Sequence, residues 1–561
     1  MQKHPNTSTA GATSTGRNAD PDYDAIVVGA GVAGLYQLYR LREMGLKVRS
    51  FDAASEVGGT WYWNRYPGAR VDSQSYIYQY WFSEELLQEW DWSQRFPAQE
   101  ETERYLNFVA DKFDLRKDIQ FNTRVSSAHW DEACKRWFIQ TEQGDEVTAR
   151  YFVSCAGMLS APLVPPFADH EKFTGQIAHT ARWPAEGIDL AGKRVGVIGT
   201  GATGIQVIQT IASEVGELKV FQRTPQYAVP MRNVRYDDKA RAEWRAKYPE
   251  LRERVHGTFA GFDYDFDHGS YLALSPAERK AALEEIWADG SLSFWIGGFQ
   301  ETFYDEAVNA EISEFVRDKI RARIEDPAVA EKLVPQSFGF GTARVPLETG
   351  YYDAFNRANV ELVDVSNVGI ERFTENGLIA AGREYELDVI ILATGFDAGT
   401  GALTRMGIHG RDDRSLTELW GKDIRSTLGL QVHGFPNLFT VAGPLAPSTA
   451  FCNMATCLQQ QVDWVSDCIA YLREHDCDAI EPTAEKEQQW VQHHDDTANA
   501  TLMVRTNSWY TGANVEGKPQ RLLSYIGGVG NYRKFCDEVK ASGYAGFDIT
   551  RAIEEDAANV A

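Results

Sequence analysis

Short apolar runs that stop at a glycine, each followed by residues with helical spacing and by a second apolar run, occur twice in the chain. The first copy spans residues 24–52 and the second spans residues 194–222. The predicted elements are strands at 24–28 and 47–52 around a helix at 35–44, and strands at 194–198 and 218–222 around a helix that begins near 205. This alternation predicts an α/β fold with two Rossmann-like dinucleotide-binding domains.

Between residues 235 and 335 the pattern changes to charged helices with apolar residues at three- and four-residue spacing. No glycine-rich phosphate loop occurs there, so we expect a helical insertion that packs over the nucleotide-binding domains. The helices are predicted at 239–255, 277–288 and 305–324, and strand-like runs resume at 360–363, 388–395 and 437–443. We therefore expect the chain to leave the first domain, build the second and return.

The expected boundaries follow from these changes of pattern and composition. The polar N-terminal segment and the acidic C-terminus have the composition of disordered tails. The predicted division is a tail at 1–22, a first nucleotide-binding domain at 23–160 and 385–550, a second at 161–234 and 336–384, the helical insertion at 235–335, and an acidic tail at 551–561.

The composition narrows the classes of function. With 56 basic against 80 acidic residues, the net charge of −24 argues against binding to nucleic acids or anionic membranes. No window reaches the ~18 apolar residues of a membrane-spanning helix, and the first residues lack the apolar core of a signal peptide. The seven cysteines form no C-x-x-C pair, which predicts neither a disulfide framework nor a zinc site. We expect a cytoplasmic protein without a metal; its oligomeric state cannot be read from the sequence.

The first turn carries the fingerprint Gly29-x-Gly31-x-x-Gly34 between a strand and a helix. Glycines at these positions permit a tight turn and let backbone N–H groups approach a pyrophosphate at the helix N-terminus. Asp52 ends the next predicted strand, at the position of a ribose-binding carboxylate. The context makes this a specific dinucleotide signal.

The second turn carries the same fingerprint, Gly199-x-Gly201-x-x-Gly204. Its following strand ends in Arg223 and Thr224 instead of an acid. A guanidinium and a hydroxyl suit a ribose 2′-phosphate, which a carboxylate would repel. The second site is therefore predicted to prefer NADPH over NADH.

Two further segments have amino-acid compositions that are unusual for a hydrophobic core. Residues 58–72 read G-G-T-W-Y-W-N-R-Y-P-G-A-R-V-D and interleave charges with aromatic residues, and residues 173–184 read F-T-G-Q-I-A-H-T-A-R-W-P shortly before the second fingerprint. They resemble the two signatures of Baeyer–Villiger monooxygenases, [AG]-G-x-W-x-x-x-x-[FY]-P-[GM]-x-x-x-D and F-x-G-x-x-x-H-x-x-x-W-P. The resemblance extends over residues 24 to 550 and implies FAD at the first site and NADPH at the second.

The resemblance also implies roles for single residues. Further cofactor contacts are expected from Gly59, Thr60, Trp61, Asp72, Tyr78 and Met454 at the flavin, and from Trp509, in a mobile C-terminal loop, at the nicotinamide. The signature residues Phe173, Gly175, His179 and Trp183 are interpreted as a hinge between the cofactor domains and not as catalysts.

The catalytic arginine of the family lies in a G-T-K-R segment, which residues 341–344 resemble. Arg344 matches the arginine that stabilises the flavin peroxide, and Asp72 is expected to hold it in place. Ala343 replaces the usual lysine, which in relatives helps to hold the NADPH phosphate. This departure weakens the expected preference for NADPH.

The implied reaction begins with hydride transfer from NADPH to FAD. The reduced flavin adds O₂ at its C4a carbon, and the peroxyflavin attacks a ketone, whose adduct rearranges to an ester or lactone. Sulfide oxidation is an expected side activity. The loop at 443–454 is expected to line the substrate pocket with Ala446, Ser448, Thr449 and Phe451, and its small residues favour a bulky, aromatic, long-chain or large cyclic ketone.

Three other functions fit parts of the pattern. A flavin-containing monooxygenase of nitrogen or sulfur shares the linker, but typically has Tyr or Phe where this chain has Trp183 and lacks the arginine segment. A disulfide reductase shares the two-nucleotide plan but needs a redox cysteine pair, and Cys134 and Cys155 are not spaced for one. A non-catalytic flavin redox sensor would not need Arg344 and Asp72.

Overall fold

The computed structural model describes residues 20–449 and 451–551, which fold around two main sheets. The first sheet has eight strands and contains the first glycine turn. Its central strand, Tyr23–Val28, is buried on both faces, as a continuous apolar run in a parallel arrangement should be. In spatial order the strands are Ile408–His409, Val125–Asp131, Arg136–Thr141, Glu146–Ser154, Tyr23–Val28, Val48–Phe51 and Ile119–Gln120, with Leu438–Thr440 also paired to Glu146–Ser154.

The second sheet has five strands, all parallel, and contains the second glycine turn. In spatial order these are Val360–Asp364, Glu217–Gln222, Arg194–Ile198, Val389–Leu392 and Gln176–His179. The predicted α/β class with two Rossmann-like sheets is confirmed.

The return of the chain to the first domain was predicted at residue 385, and this is wrong. Val389–Leu392 pairs with Arg194–Ile198 and Gln176–His179, so it belongs to the second sheet. An apolar run predicts a buried strand but carries no information about its partner. The chain re-enters the first sheet only later, at Ile408–His409 and Leu438–Thr440.

The charged block forms helices close to their predicted positions. Ser293–Ile296 brings Trp295 under the loop that carries Arg344, where the Trp295 Nε1–H donates to the carbonyl of Gly341 at 3.1 Å. The described α-helices are Val32–Glu43, Thr60–Trp63, Glu84–Glu89, Gln99–Lys112, Ala202–Ile211, Asp238–Gly257, Pro276–Asp289, Ser293–Ile296, Glu306–Arg321, Pro327–Leu333, Tyr351–Ala354, Gly401–Thr404, Leu416–Lys422, Met454–Glu474, Ala484–Asn499 and Val529–Ala541.

Smaller sheets complete the fold, and one of them fixes the C-terminal end. Arg551 is the last residue of the strand Phe547–Arg551, so it does not belong to the predicted C-terminal tail. Asp22, which was assigned to the predicted N-terminal tail, accepts hydrogen bonds from the backbone N–H and hydroxyl of Thr148, both at 2.8 Å. The rest of both predicted tails, 1–19 and 552–561, lies outside the described residues. The strands pair as Ile370–Thr374, Gly377–Ala380 and Arg383–Glu386; Val229–Pro230 with Leu347–Glu348; and Cys477–Pro482 with Phe547–Arg551.

Among the described helices, none combines the length and apolar character needed to cross a bilayer.

Candidate active site

A cavity of about 740 Å³ opens from the first glycine turn. Gly29 has φ +111°, and a Cβ at Gly31 would lie 3.2 Å from the Cα of Gly59, so the two glycine segments need this close approach. The helix Val32–Glu43 begins here without a side-chain cap, which leaves its first N–H groups available to a phosphate. Gly34 does not line the cavity, because it packs against the carbonyl of Gly29.

Asp52 lies at the wall of this cavity and also fixes the turn itself. Its carboxylate accepts from the backbone N–H of Ala30 at 2.5 Å and of Ala54 at 2.7 Å. Burial raises the pKa of this carboxyl, and the two N–H donors oppose that rise. The predicted ribose acid is therefore in place, with part of its acceptor capacity used to tie the glycine turn to the second strand.

The other expected flavin contacts surround the same cavity. Trp61 Nε1–H donates to the hydroxyl of Tyr78 at 3.2 Å, and this hydrogen bond orients both side chains. Six of the expected residues line the cavity: Gly59, Thr60, Trp61, Asp72, Tyr78 and Met454. The structure thus gathers residues that are up to 395 positions apart in the sequence.

The segment 58–72 also contacts the second domain. Tyr66 donates from its hydroxyl to Oε1 of Gln206 at 3.0 Å, and Nε2 of Gln206 donates to the carbonyl of Arg70 at 3.2 Å. Gly68, at φ +83°, lies so close to the helix Ala202–Ile211 that an added Cβ would be 2.6 Å from the Gln206 carbonyl. One signature segment therefore lines the first cofactor site and packs on the helix of the second.

Arg344 and Asp72 meet in the cavity as an ion pair between Nη2 and Oδ2. Nη1 of Arg344 donates to the carbonyl of Thr449 at 3.2 Å, and the guanidinium lies 5.5 Å from the ring centroid of Trp295. Burial lowers the pKa of Arg344, but Asp72 and Tyr510 raise it more, so that the net shift is upward. The arginine is thereby held charged and fixed on two sides.

Tyr510 belongs to this cluster, although nothing in the sequence pattern selected it beyond its place beside Trp509. Its ring is buried, and its hydroxyl interacts with the Arg344 guanidinium. Burial raises the pKa of Tyr510, which keeps the phenol protonated next to Arg344. Trp509 is half-buried against the Tyr510 ring, at 4.2 Å between centroids, and does not line the cavity.

At the second glycine turn, two glycines pack against backbone carbonyls and the third faces open space. A Cβ at Gly199 would lie 2.5 Å from the Ala393 carbonyl and one at Gly204 would meet the Gly199 carbonyl, whereas one at Gly201 would meet nothing within 4 Å. Arg223 and Thr224 are exposed at the end of the next strand. The turn, the uncapped helix N-terminus and the guanidinium suit a second dinucleotide with a 2′-phosphate.

The segment 173–184 is held by buried contacts beside the second sheet. His179 Nδ1 accepts from the Ala181 N–H at 3.0 Å, and its Nε2 lies 3.3 Å from the hydroxyl of Thr394. Burial lowers the pKa of His179, which favours the neutral ring. Trp183 is buried in the core. Neither His179 nor Trp183 lines the flavin cavity, although Arg182 between them does. Their role as a hinge stays a prediction.

The other two signature residues pack on each other within the same segment. A Cβ at Gly175 would lie 2.5 Å from the Asp388 carbonyl and would also collide with the ring of Phe173. Phe173 is buried and packs edge-on against Phe373 at 6.3 Å between centroids. The fixed glycine of this signature is thus required for close packing.

The loop at 443–454, which was predicted to line the substrate pocket, contributes fewer residues to the cavity than expected. Of its four selected residues, Thr449 lines the cavity, whereas Ala446, Ser448 and Phe451 are buried outside it. Phe451 packs on Trp295 at 5.3 Å between ring centroids. Ala446 and Ser448 do not reach the cavity because the loop turns these small residues into the core. Ala450 lies outside the described residues. The apolar wall instead includes Phe262, Leu292 and Ile296, which the sequence reasoning missed.

The same loop contains a disulfide between Cys452 and Cys457, which the sequence reasoning did not predict. Met454 begins a helix at this point, and its first turn brings the two Cα atoms to 6.4 Å, within the range that a disulfide spans. Cys452 lines the cavity.

Two Rossmann-like sites, with an arginine–aspartate pair in the cavity of the first, define a two-dinucleotide oxidoreductase. Residues 24–230 match the model of the flavin-binding monooxygenase-like family. Acetone monooxygenase (methyl acetate-forming) of Gordonia sp. (strain TY-5) is 57% identical over 94% of this chain and 99% of its own length. A Baeyer–Villiger monooxygenase of Pseudooceanicola batsensis is 40% identical over 98% and 99%.

Among solved structures, oxidised steroid monooxygenase bound to NADP is 47% identical, with a TM-score of 0.90 over 94% of this chain and all of that chain. The chain belongs to the Baeyer–Villiger monooxygenases. The predicted family is confirmed, which removes the disulfide reductase and the redox sensor from consideration.

Proposed function

We propose that the protein uses FAD, NADPH and O₂ to insert one oxygen atom beside the carbonyl of a compact ketone, and so forms an ester or lactone. The single observation that carries this is the Arg344–Asp72 ion pair inside the cavity that holds the first glycine turn. Bound FAD supplies hydride acceptance and O₂ chemistry, which side chains cannot perform. The protein binds, orients and excludes water.

Arg344 acts by electrostatics. Asp72 and the Thr449 carbonyl fix the guanidinium, and its remaining N–H groups are available to an oxygen that gains negative charge during the reaction. A preorganised donor of this kind contributes about 3–4 kcal/mol to the transition state. Asp72 is a positioning residue, because it keeps the arginine charged and oriented.

The substrate proposal rests on apolar side chains of the cavity that Arg344 also lines. Phe262, Leu292 and Ile296 line the cavity as bulky, buried side chains. The expectation of a bulky ketone depended on the small residues Ala446 and Ser448, which face the core. A wall of this kind favours small aliphatic and small cyclic ketones, in keeping with the 57% identical relative that is named for acetone.

The test is a graded panel of acetone, butanone, cyclohexanone, acetophenone and a long-chain methyl ketone, under ¹⁸O₂. We expect NADPH-dependent esters or lactones that carry one ¹⁸O atom, with the highest kcat/KM among the smaller ketones. Turnover of amines or sulfides without turnover of any ketone would instead assign the protein to heteroatom oxygenation.

Replacing Ile296 by alanine should shift this preference. Removal of about three methyl or methylene groups enlarges the cavity that Arg344 also lines, and each group is worth ~1–3 kcal/mol of discrimination. We expect the ratio of kcat/KM for acetophenone to that for butanone to rise about tenfold or more. Ile312→Ala is the matched control, because Ile312 is equally buried in the same core but does not line the cavity. An equal change in both variants would contradict the assignment.

Arg223 should set the cofactor preference. Arg223→Ala removes a charge-assisted hydrogen bond to the 2′-phosphate, worth about 1.5–3 kcal/mol, so kcat/KM for NADPH should fall about 10- to 100-fold. Activity with NADH, which lacks this phosphate, should remain within about twofold. A parallel loss with both cofactors would show that Arg223 acts on the fold and not on the phosphate.

A further inference from the structure

Two histidines and an aspartate come together on the outer edge of the first sheet, away from the flavin cavity. His409 lies in the edge strand Ile408–His409 and His129 in its neighbour, Val125–Asp131. The two strands run parallel with His409 opposite His129, so that both rings project from the same face. The rings stack at 4.6 Å between centroids, with an angle of 22° between their planes.

Asp413 points its carboxylate at both rings. Oδ1 of Asp413 lies 2.8 Å from Nδ1 of His409 and 3.6 Å from Nδ1 of His129. Candidate ligand atoms of the three residues all lie within 4.8 Å of one another. Ligands around a tetrahedral zinc, at ~2.0–2.2 Å from the metal, are separated by similar distances, so small side-chain rotations would suffice to form the site.

The surrounding charges favour a cation at this point. Two arginines flank the aspartates of this turn, and both direct their guanidinium groups elsewhere. Arg411 pairs with Glu132 and Glu481. Arg414 donates from Nη1 to the carbonyl of His433 at 3.5 Å. Asp412 and Asp413 both have left-handed backbone conformations, with φ of 54° and 57°, and this turn places the Asp413 carboxylate back over the strand. The His129 and Asp413 side chains are 49% and 78% exposed, so a metal can enter from solvent.

We propose that His129, His409 and Asp413 form a binding site for a divalent transition metal of the zinc class. Two imidazoles and one carboxylate select such metals over Mg²⁺ and Ca²⁺, which prefer oxygen ligands alone. The fourth position is open to water. The metal fastens the two-residue edge strand to the sheet. Val125, in the strand of His129, and Met406, just before the strand of His409, both line the flavin cavity, so the metal also links two segments of the cavity wall.

The test uses the untagged, full-length, FAD-loaded protein after removal of metals with a chelator. Calorimetric titration with Zn²⁺ should show one site per chain with a Kd on the order of 10 µM, and Mg²⁺ should show none. His409→Asn and His129→Asn should each weaken Zn²⁺ binding at least tenfold. His170→Asn is the matched control, because His170 is an exposed histidine beside a carboxylate, Glu171, at 3.6 Å.

Retained FAD content and ketone turnover would show that the variants are folded, since none of the three ligands lines the cavity. A second readout is thermal unfolding: Zn²⁺ should raise the melting temperature of the original protein and of His170→Asn, but not of His409→Asn. Absence of Zn²⁺ binding at 100-fold higher concentration, or equal binding by all variants, would overturn the proposal.

Discussion

Arg344→Ala should lower kcat for ketone oxygenation by about 10³-fold while FAD remains bound. The guanidinium is fixed by Asp72 and the Thr449 carbonyl and lies inside the cavity, so its loss removes a preorganised positive charge from the reacting centre. Loss of a donor that acts mainly in the transition state lowers kcat more than it raises KM. The measurement is ester formation at saturating ketone, with NADPH oxidation and released hydrogen peroxide followed in parallel.

Two variants separate charge from geometry. Arg344→Lys keeps a positive charge but cannot donate to Asp72 and to the Thr449 carbonyl in the same planar arrangement, so we expect partial activity. Asp72→Asn keeps the shape but removes the partner charge, and it should fall between the original enzyme and Arg344→Ala. Ketone oxygenation by Arg344→Ala near the original rate, with normal FAD content, would refute the role assigned to Arg344.

Gly68→Ala should destabilise the protein by about 2–4 kcal/mol and slow hydride transfer from NADPH to FAD. The added Cβ would lie 2.6 Å from the Gln206 carbonyl, and it would also meet the Thr210 hydroxyl. A backbone carbonyl within a helix cannot rotate away, so the flavin segment and the helix of the second site must separate. The measurements are the temperature of FAD release and the rate of flavin reduction in anaerobic stopped flow.

Gly144→Ala provides the control for backbone strain. Gly144 has φ +91°, similar to the +83° of Gly68, but an added Cβ there would meet nothing within 4 Å. We therefore expect about 1–2 kcal/mol of destabilisation from the left-handed conformation alone, and no change in flavin reduction. If the two variants behaved alike, close packing between the domains would not be the reason for glycine at position 68.

Local sequence patterns predicted the strands and turns whose conformation depends on neighbouring residues in the chain. The run Arg194–Ile198 is the observed strand to the residue, because a buried parallel strand needs a continuous apolar run whatever its partner. The glycine turns were predicted because few other residues permit φ near +110° at Gly29 and Gly199. The pairing of Val389–Leu392 was not predictable, because partner choice depends on the whole sheet.

The sequence by itself determined the fold class and the two dinucleotide sites. The pairing of Arg344 with Asp72, across 272 positions, was expected only from the family resemblance. The sequence motifs specify local backbone geometry and residue chemistry, and both are encoded within short segments. Only the tertiary structure decided which side chains form the apolar wall, that Ala446 and Ser448 turn inward, and that His129 meets His409. Those contacts depend on how distant segments pack, and the pattern of one segment does not contain that information.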